Sequence, residues 1–105
     1  MRLSELHMDA AGLAKICRRY HVERLEAFGS FASGDAGPDS DLDVLVTFEP
    51  GAEIGLEFVS LQQELSELFG RSVDLFTRTS VERSPNKYFR HYALRNTQVL
   101  YDRAA

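Results

Sequence analysis

Apolar residues recur at helical spacing in three stretches of the chain. The first runs from about Asp9 to Tyr20, with Asp9 suited to cap its N-terminus. The second runs from about Gly55 to Phe69, and Gly70 is well placed to end it. After a turn at Ser84-Pro85, the third covers roughly Asn86 to Arg95. The apolar stripe of the first helix comprises Leu13, Ile16, Cys17 and Tyr20.

Three further stretches have the composition of strands. They are VERLEAF, which ends at Phe28, then LDVLVTF from Leu42 to Phe48, and SVDLFT from Ser72 to Thr77. Residues Gln98 to Tyr101 are expected to form a short apolar tail. This order predicts an α/β (α+β) fold, a small mixed sheet covered by helices on one face. Alternation then directs Leu42, Val44, Val46 and Phe48 to the helices, and Asp41, Asp43, Leu45 and Thr47 to the other face.

The length and composition suit one ordinary globular domain over residues 1–105. The chain is 44% hydrophobic and 27% charged, with one cysteine, so a disulfide framework is excluded. We see no signal peptide and no apolar run long enough to span a membrane, so we expect a cytoplasmic protein without membrane contact. His7, His21 and His91 lie in separate segments, and Cys17 is expected to be a buried, inert thiol.

Charge is distributed unevenly along the chain. Residues 26–70 carry ten acidic side chains and no Lys or Arg, whereas residues 71–105 carry seven basic and three acidic ones. A segment without Lys or Arg has no positive charge to bind nucleic acid phosphates, so direct nucleic acid binding is not expected. It suits a site in which a bound cation supplies the positive charge, although a solvated acidic surface would show the same count.

Three aspartates are predicted to share one face of the sheet. Asp41 and Asp43 are two positions apart, about 6.6 Å along a strand, and Asp74 is flanked by apolar residues in the next strand. Carboxylates crowded in this way repel one another, and aspartate is depleted in strands. Their oxygens suit Mg²⁺, which binds one or two carboxylates and completes its shell with water and substrate phosphates.

A phosphate-binding turn is predicted next to these carboxylates. Gly29 and Ser30 lie where a strand ends and a short helical turn can begin. Glycine permits a close approach of the backbone, and Ser30 adds a hydroxyl donor. A calcium-binding EF-hand loop starting at Asp39 is excluded, because its sixth position is Val44 and its twelfth is Pro50. A phosphate beside metal-binding carboxylates is suited to in-line attack on phosphorus.

Gly29-Ser30, ten intervening residues, and Asp41-Leu42-Asp43 together resemble the G-S-x10-D-x-D motif of the DNA polymerase β-like nucleotidyltransferases. Asp74 matches the third carboxylate of that superfamily. With its small size, the chain resembles a minimal nucleotidyltransferase (MNT), the antitoxin of HEPN/MNT toxin–antitoxin pairs. The resemblance implies that Gly29 and Ser30 bind nucleotide phosphates, that Asp41, Asp43 and Asp74 bind magnesium, and that Asp74 also acts as the base.

The same resemblance implies an activity and a partner. Studied members of the family transfer AMP from ATP to a tyrosine of the HEPN toxin and so silence its RNase activity. One departure is that many relatives read G-S-x-A-R-G, whereas Ser33 stands here in place of the arginine. The missing cation favours an alternative in which the domain neutralises the toxin by binding alone. A third possibility, transfer to a small hydroxylated molecule such as an aminoglycoside, lacks a second domain for the acceptor.

The basic residues of the C-terminal third form a last cluster of interest. Arg83, Lys87, Arg90 and His91 are predicted to share one helical face, which is either solvated, a docking surface for a partner protein, or a nucleotide contact. Phe89, Tyr92 and Leu94 are expected in the core.

Overall fold

The computed structural model describes residues 9–37 and 39–104. Helices and strands alternate along this part of the chain, as the sequence predicts. The elements are α1 (Ala10–Arg19), β1 (Val22–Phe28), α2 (Ser30–Ser33), β2 (Leu42–Phe48), α3 (Glu57–Phe69), β3 (Val73–Thr77), α4 (Arg78–Glu82), α5 (Lys87–Leu94) and β4 (Gln98–Asp102). None of the described helices is long and apolar enough to cross a lipid bilayer.

The strands form one mixed sheet in the order β3-β2-β1-β4. β2 pairs with β3 in parallel, through the crossover that contains α3, and with β1 in antiparallel orientation. β4 pairs with the outer edge of β1, also antiparallel. The predicted small mixed sheet is therefore confirmed, and β2, its most apolar strand, is a central one.

The main core lies between the sheet and helices α1 and α3. The helix ends have the expected chemistry, because Asp9 accepts a hydrogen bond from the Gly12 N–H at 3.0 Å and Gly70 ends α3 with a φ of 67°. The apolar stripe of α1 and the inward residues of β2 are both confirmed. Buried members of this core include Leu13, Cys17, Leu42, Val44, Val46, Leu61 and Leu65.

The opposite face of the sheet is also covered, so the prediction of helices on only one face needs correction. Leu45 is fully buried there with Phe28, Val81 of α4 and Ala93 of α5. Phe89 and Leu94 pack against this second cluster, as expected for core residues. The sequence pattern does not indicate α4, because five residues are too few to show a helical period.

The C-terminal apolar tail is an edge strand rather than an irregular segment. β4 pairs with β1, with Ala27 opposite Gln98 and Leu25 opposite Tyr101, and its register shifts between these pairs. The strand is short and its residues are at most partly buried, so its sequence lacks the alternation that marks β2. Its pairing brings the end of α5 close to β1 and α2.

Candidate active site

The Gly29-Ser30 turn lies at the end of β1 and directly beside Asp43. Gly29 has a φ of 71° and a ψ of −141°, a conformation that side-chain-bearing residues rarely adopt. A Cβ at Gly29 would lie 2.7 Å from Asp43 Oδ2 and 2.9 Å from Tyr92 Oη. Glycine is therefore required both by the backbone and by the packing. Ser30 begins α2, the short helical turn that the sequence predicts at this point.

The structure brings Asp43 and Asp74 together on neighbouring strands. The two occupy paired positions of the parallel β2–β3 ladder, and Phe28 at the end of β1 pairs with Asp43 from the other side. Asp43 is half-buried, whereas Asp74 is exposed. Asp41 is also exposed and precedes the first residue of β2. The position of Asp74 beside Asp43 thus follows from the strand register.

Burial and like charge act on Asp43 in the same direction. Burial, and after it the negative charges of Asp74 and Asp41, together raise the pKa of Asp43 from 3.8 to about 6. None of the three aspartates forms an ion pair within the described part of the chain. The site therefore carries negative charge that no ion pair of the described residues neutralises, which favours cation binding.

The carboxylates do not form a closed metal cage. Among residues 9–37 and 39–104, no three His, Cys, Asp or Glu side chains are grouped closely enough to hold a metal ion by themselves. Mg²⁺ fits such an open site, because it commonly takes one or two carboxylates and completes its octahedron with water and substrate phosphates. The assignment of all three aspartates as magnesium ligands stays a prediction.

A cavity of about 150 Å³ opens next to Gly29. Its walls come from the β1–α2 turn on one side and from the C-terminal end of α5 on the other. The lining residues are Gly29, Ser30, Ser33, Asp35, Tyr92, Arg95 and Asn96. The cavity therefore extends the Gly29–Asp43 site toward α5.

The contribution of α5 to this cavity was not predicted from the sequence. Tyr92 is 44% exposed, so its assignment to the core is wrong. Arg95 stands three residues later, on the same face of the helix end. Arg83 belongs to the end of α4 rather than to α5, so the predicted common face is wrong for this residue. The sequence shows that Tyr92 and Arg95 are three residues apart and can share a helix face. It does not show that this face lies across the cavity from Ser30.

Two sets of hydrogen bonds position the α2 segment and the loop that follows it. The side-chain amides of Asn96 and Gln98 donate to the Ala32 carbonyl oxygen at 3.4 and 3.2 Å. Arg71 Nη1 donates to the Ser40 carbonyl oxygen at 2.8 Å, and its guanidinium lies 4.8 Å from the centre of the Phe31 ring. The loop between the glycine turn and the aspartates is thus tied to β4 and to the start of β3.

The remaining candidate residues lie outside the site. Cys17 is buried, and burial raises its pKa to about 12, which agrees with the predicted inert thiol. His21 Nδ1 lies 3.3 Å from Glu49 Oε2, and His91 is exposed on α5. His7 lies outside the described residues.

Solved structures with the same fold include a protein assigned as a minimal nucleotidyltransferase and a chain of a toxin–antitoxin complex. A protein assigned as a minimal nucleotidyltransferase superposes with a TM-score of 0.61 and 35% identity, over 87% of this chain and 95% of the other. A toxin–antitoxin complex crystallised with AMP-PNP contains a chain that superposes with a TM-score of 0.65, over 90% of this chain and 74% of the other. At 20% identity the second similarity shows the fold alone.

Sequence comparison extends this similarity. The protein adenylyltransferase MntA of Thermococcus cleftensis is 39% identical over 64 residues, which are 61% of this chain and 64% of that protein. This match therefore spans less than two thirds of the Thermococcus protein. A Methanocaldococcus jannaschii protein assigned as a protein adenylyltransferase is 38% identical over 66 residues, 63% of this chain and 70% of the relative. The sequence pattern described as the nucleotidyltransferase domain matches residues 11–100. The predicted resemblance is thereby confirmed, and the chain belongs to the nucleotidyltransferase domain family.

Proposed function

We propose that this chain is a magnesium-dependent protein adenylyltransferase that acts as an antitoxin. It transfers AMP from ATP to a hydroxyl group, that of a tyrosine, on a HEPN-type toxin. The observation that carries the proposal is the position of Gly29 against Asp43, with Asp74 paired beside it. We infer that this turn admits a phosphate close to its backbone, beside carboxylates that form no ion pair with the described residues.

The named relatives supply the substrate and the partner in this proposal. The Thermococcus relative is a protein adenylyltransferase. A tri-AMPylated HEPN toxin of Shewanella oneidensis, in complex with its MNT antitoxin, provides another structural neighbour, with a TM-score of 0.56 and 18% identity. We extend the AMP transfer and the toxin partner from those proteins to this chain.

Each site residue has a defined part in the proposed reaction. Gly29 and Ser30 bind the phosphates of ATP, while Asp41 and Asp43 hold magnesium. Magnesium, when bound, neutralises the charge that develops on the triphosphate. Asp74, exposed at the open side of the pair, accepts the proton of the incoming hydroxyl. The acceptor oxygen then forms a bond to the α-phosphorus, the bond from that phosphorus to the bridging oxygen breaks, and pyrophosphate leaves.

A binding-only antitoxin is the second candidate. Ser33 stands where many relatives have arginine, and its hydroxyl donates to Asp35 Oδ2 at 3.0 Å, so α2 provides no cation to a triphosphate. On this alternative the domain covers the toxin without modifying it. The two candidates differ in one measurable product, the AMP attached to the partner.

The deciding experiment is incubation of the chain with labelled ATP, Mg²⁺ and the product of the neighbouring gene as the candidate partner, followed by mass spectrometry of that partner. We expect a mass increase of one or more AMP units with the wild type and none with Asp43→Asn. Asp39→Asn is the matched control, because it removes the same charge from an exposed position in the preceding loop. An inhibited but unmodified partner would replace the first proposal with the second.

A further inference from the structure

We propose that the C-terminal end of α5 binds the β- and γ-phosphates of the nucleotide, through the guanidinium of Arg95 and the hydroxyl of Tyr92. This inference rests on the proposed function, because it concerns the ATP of that reaction. It assigns to α5 a part of the site that lies outside the glycine turn and the aspartates.

The geometry joins α5 to the glycine turn. Tyr92 Oη lies 2.9 Å from the position of a Cβ on Gly29, and the same position is 2.7 Å from Asp43 Oδ2. The tyrosine hydroxyl and the carboxylate thus border one small volume beside the Gly29 backbone. Arg95, three residues after Tyr92, lines the cavity that Gly29, Ser30 and Tyr92 also border. A ligand that reaches from Asp43 into the cavity meets Arg95.

The charges of the cavity indicate which end of the nucleotide lies there. Arg95 is the positively charged member of the described lining, and its side chain forms no ion pair or hydrogen bond with the described residues. The negative member is Asp35, which accepts the Ser33 hydroxyl. A metal ion held by the aspartates would neutralise charge at one end of the triphosphate, and Arg95 would supply a cation for the phosphates at the other end. A guanidinium carries a charge opposite to that of phosphate oxygens and can donate two parallel hydrogen bonds to them.

The structure also holds this wall in place before any ligand binds. Asn96 and Gln98, which follow Arg95, both donate to the Ala32 carbonyl oxygen of α2. The Tyr92 ring packs edge-on to Phe28, with 6.5 Å between ring centres. These hydrogen bonds and this ring contact connect the α5 wall of the cavity to the β1–α2 wall without a ligand. A preformed site loses less freedom on binding, which increases affinity.

A specific selectivity follows from this placement. Arg95 and Tyr92 contact only the phosphates that leave as pyrophosphate, so they distinguish ATP from AMP. Loss of the Arg95 charge is expected to weaken binding of ATP and of inorganic tripolyphosphate, and to leave AMP binding unchanged. We expect a roughly tenfold effect, equivalent to about 1.4 kcal/mol. Tyr92→Phe removes a neutral donor and has a smaller effect, about threefold.

The test measures the dissociation constants of ATP, AMP and tripolyphosphate, each with Mg²⁺, for the full chain and its variants. Arg95→Gln is compared with Arg83→Gln, which makes the same charge change at an exposed position outside the cavity lining. Only Arg95→Gln is expected to lose ATP and tripolyphosphate affinity and to show a raised KM for ATP. Thermal melting of both variants verifies that they are folded.

A rescue experiment separates a direct contact from a structural effect. Ser33 lines the same cavity from the α2 side, so Ser33→Arg in the Arg95→Gln background returns a cation to it and should recover most of the lost affinity. Unchanged ATP affinity in Arg95→Gln, or an equal loss for AMP, would overturn the inference while AMP transfer by the wild type still stands. A wild type that binds no Mg–ATP would overturn the proposed function and this inference together.

Discussion

Asp43 and Asp74 occupy paired positions on adjacent parallel strands, where both side chains project from the same face of the sheet. No basic side chain within the described residues forms an ion pair with either. Strand pairing places like charges side by side at a half-buried position. This arrangement costs stability in the metal-free protein and becomes favourable when a cation binds, which leads to the first two predictions.

Asp43→Asn is expected to melt at the same or a higher temperature than the wild type without metal at pH 7. Because the folded-state pKa of Asp43 is raised from 3.8 to about 6, ionisation lowers stability as the pH rises through this range. The uncharged amide of the variant avoids this loss, which we expect to be about 1 kcal/mol of unfolding free energy at this partly solvated site. Melting curves between pH 4 and pH 7 should show the advantage of the variant shrinking toward acid pH. A variant clearly less stable at pH 7 would mean that Asp43 is structural.

Mg²⁺ with ATP is expected to raise the melting temperature of the wild type and to raise that of Asp43→Asn much less. A ligand stabilises only the state that binds it, and the variant lacks one of the proposed metal ligands. Melting curves recorded first with EDTA and then with Mg²⁺ and ATP measure the difference. Equal shifts in both proteins would remove Asp43 from the binding site.

Gly29→Ala is expected to abolish nucleotide transfer and to destabilise the fold by about 1–3 kcal/mol. The added methyl group would meet Asp43 Oδ2 and Tyr92 Oη, in addition to the unfavourable positive φ. Gly51→Ala is a suitable control, because Gly51 also has a positive φ, of 83°, but no atom lies within 4 Å of its added Cβ. Denaturant unfolding of both variants separates backbone strain from the clash, and similar losses in the two would contradict the close packing at Gly29.

Arg78→Met is expected to destabilise the chain by about 2 kcal/mol through the buried carboxylate of Glu26. Glu26 is 3% exposed and accepts hydrogen bonds from Arg78 Nη1 at 2.7 Å and from Thr97 Oγ1 at 2.8 Å. Removal of Arg78 leaves that charge poorly compensated in the interior. The corresponding change at Arg103, which pairs with Glu49 at the surface, should cost less than about 1 kcal/mol. Urea unfolding of the two variants compares them directly.

Regular elements with a strong apolar pattern could be predicted from the sequence. β2 alternates clearly, α1 has both an apolar stripe and Asp9 as its cap, and Gly70 ends α3 as expected. α3 itself begins at Glu57, two residues after the predicted start. Elements that were missed or misassigned, α4 and β4, have five residues each and depend on their neighbours for stability. A short element lacks enough positions to show a period of its own.

In the site, too, some features follow from the local sequence and others from the packing of distant elements. The sequence by itself determined the glycine turn, the serine hydroxyl and the position of Asp43 in β2 with Asp41 just before that strand, because backbone conformation and alternation are local properties. Only the tertiary structure decided that Asp74 pairs with Asp43, since register between strands distant in sequence depends on how α3 packs. It also decided that Arg95 lies opposite Ser30. The two residues line the same cavity although they are 65 positions apart in the sequence. The hydrogen bonds from Asn96 and Gln98 to Ala32, which depend on the pairing of β4 with β1, link the two walls of that cavity.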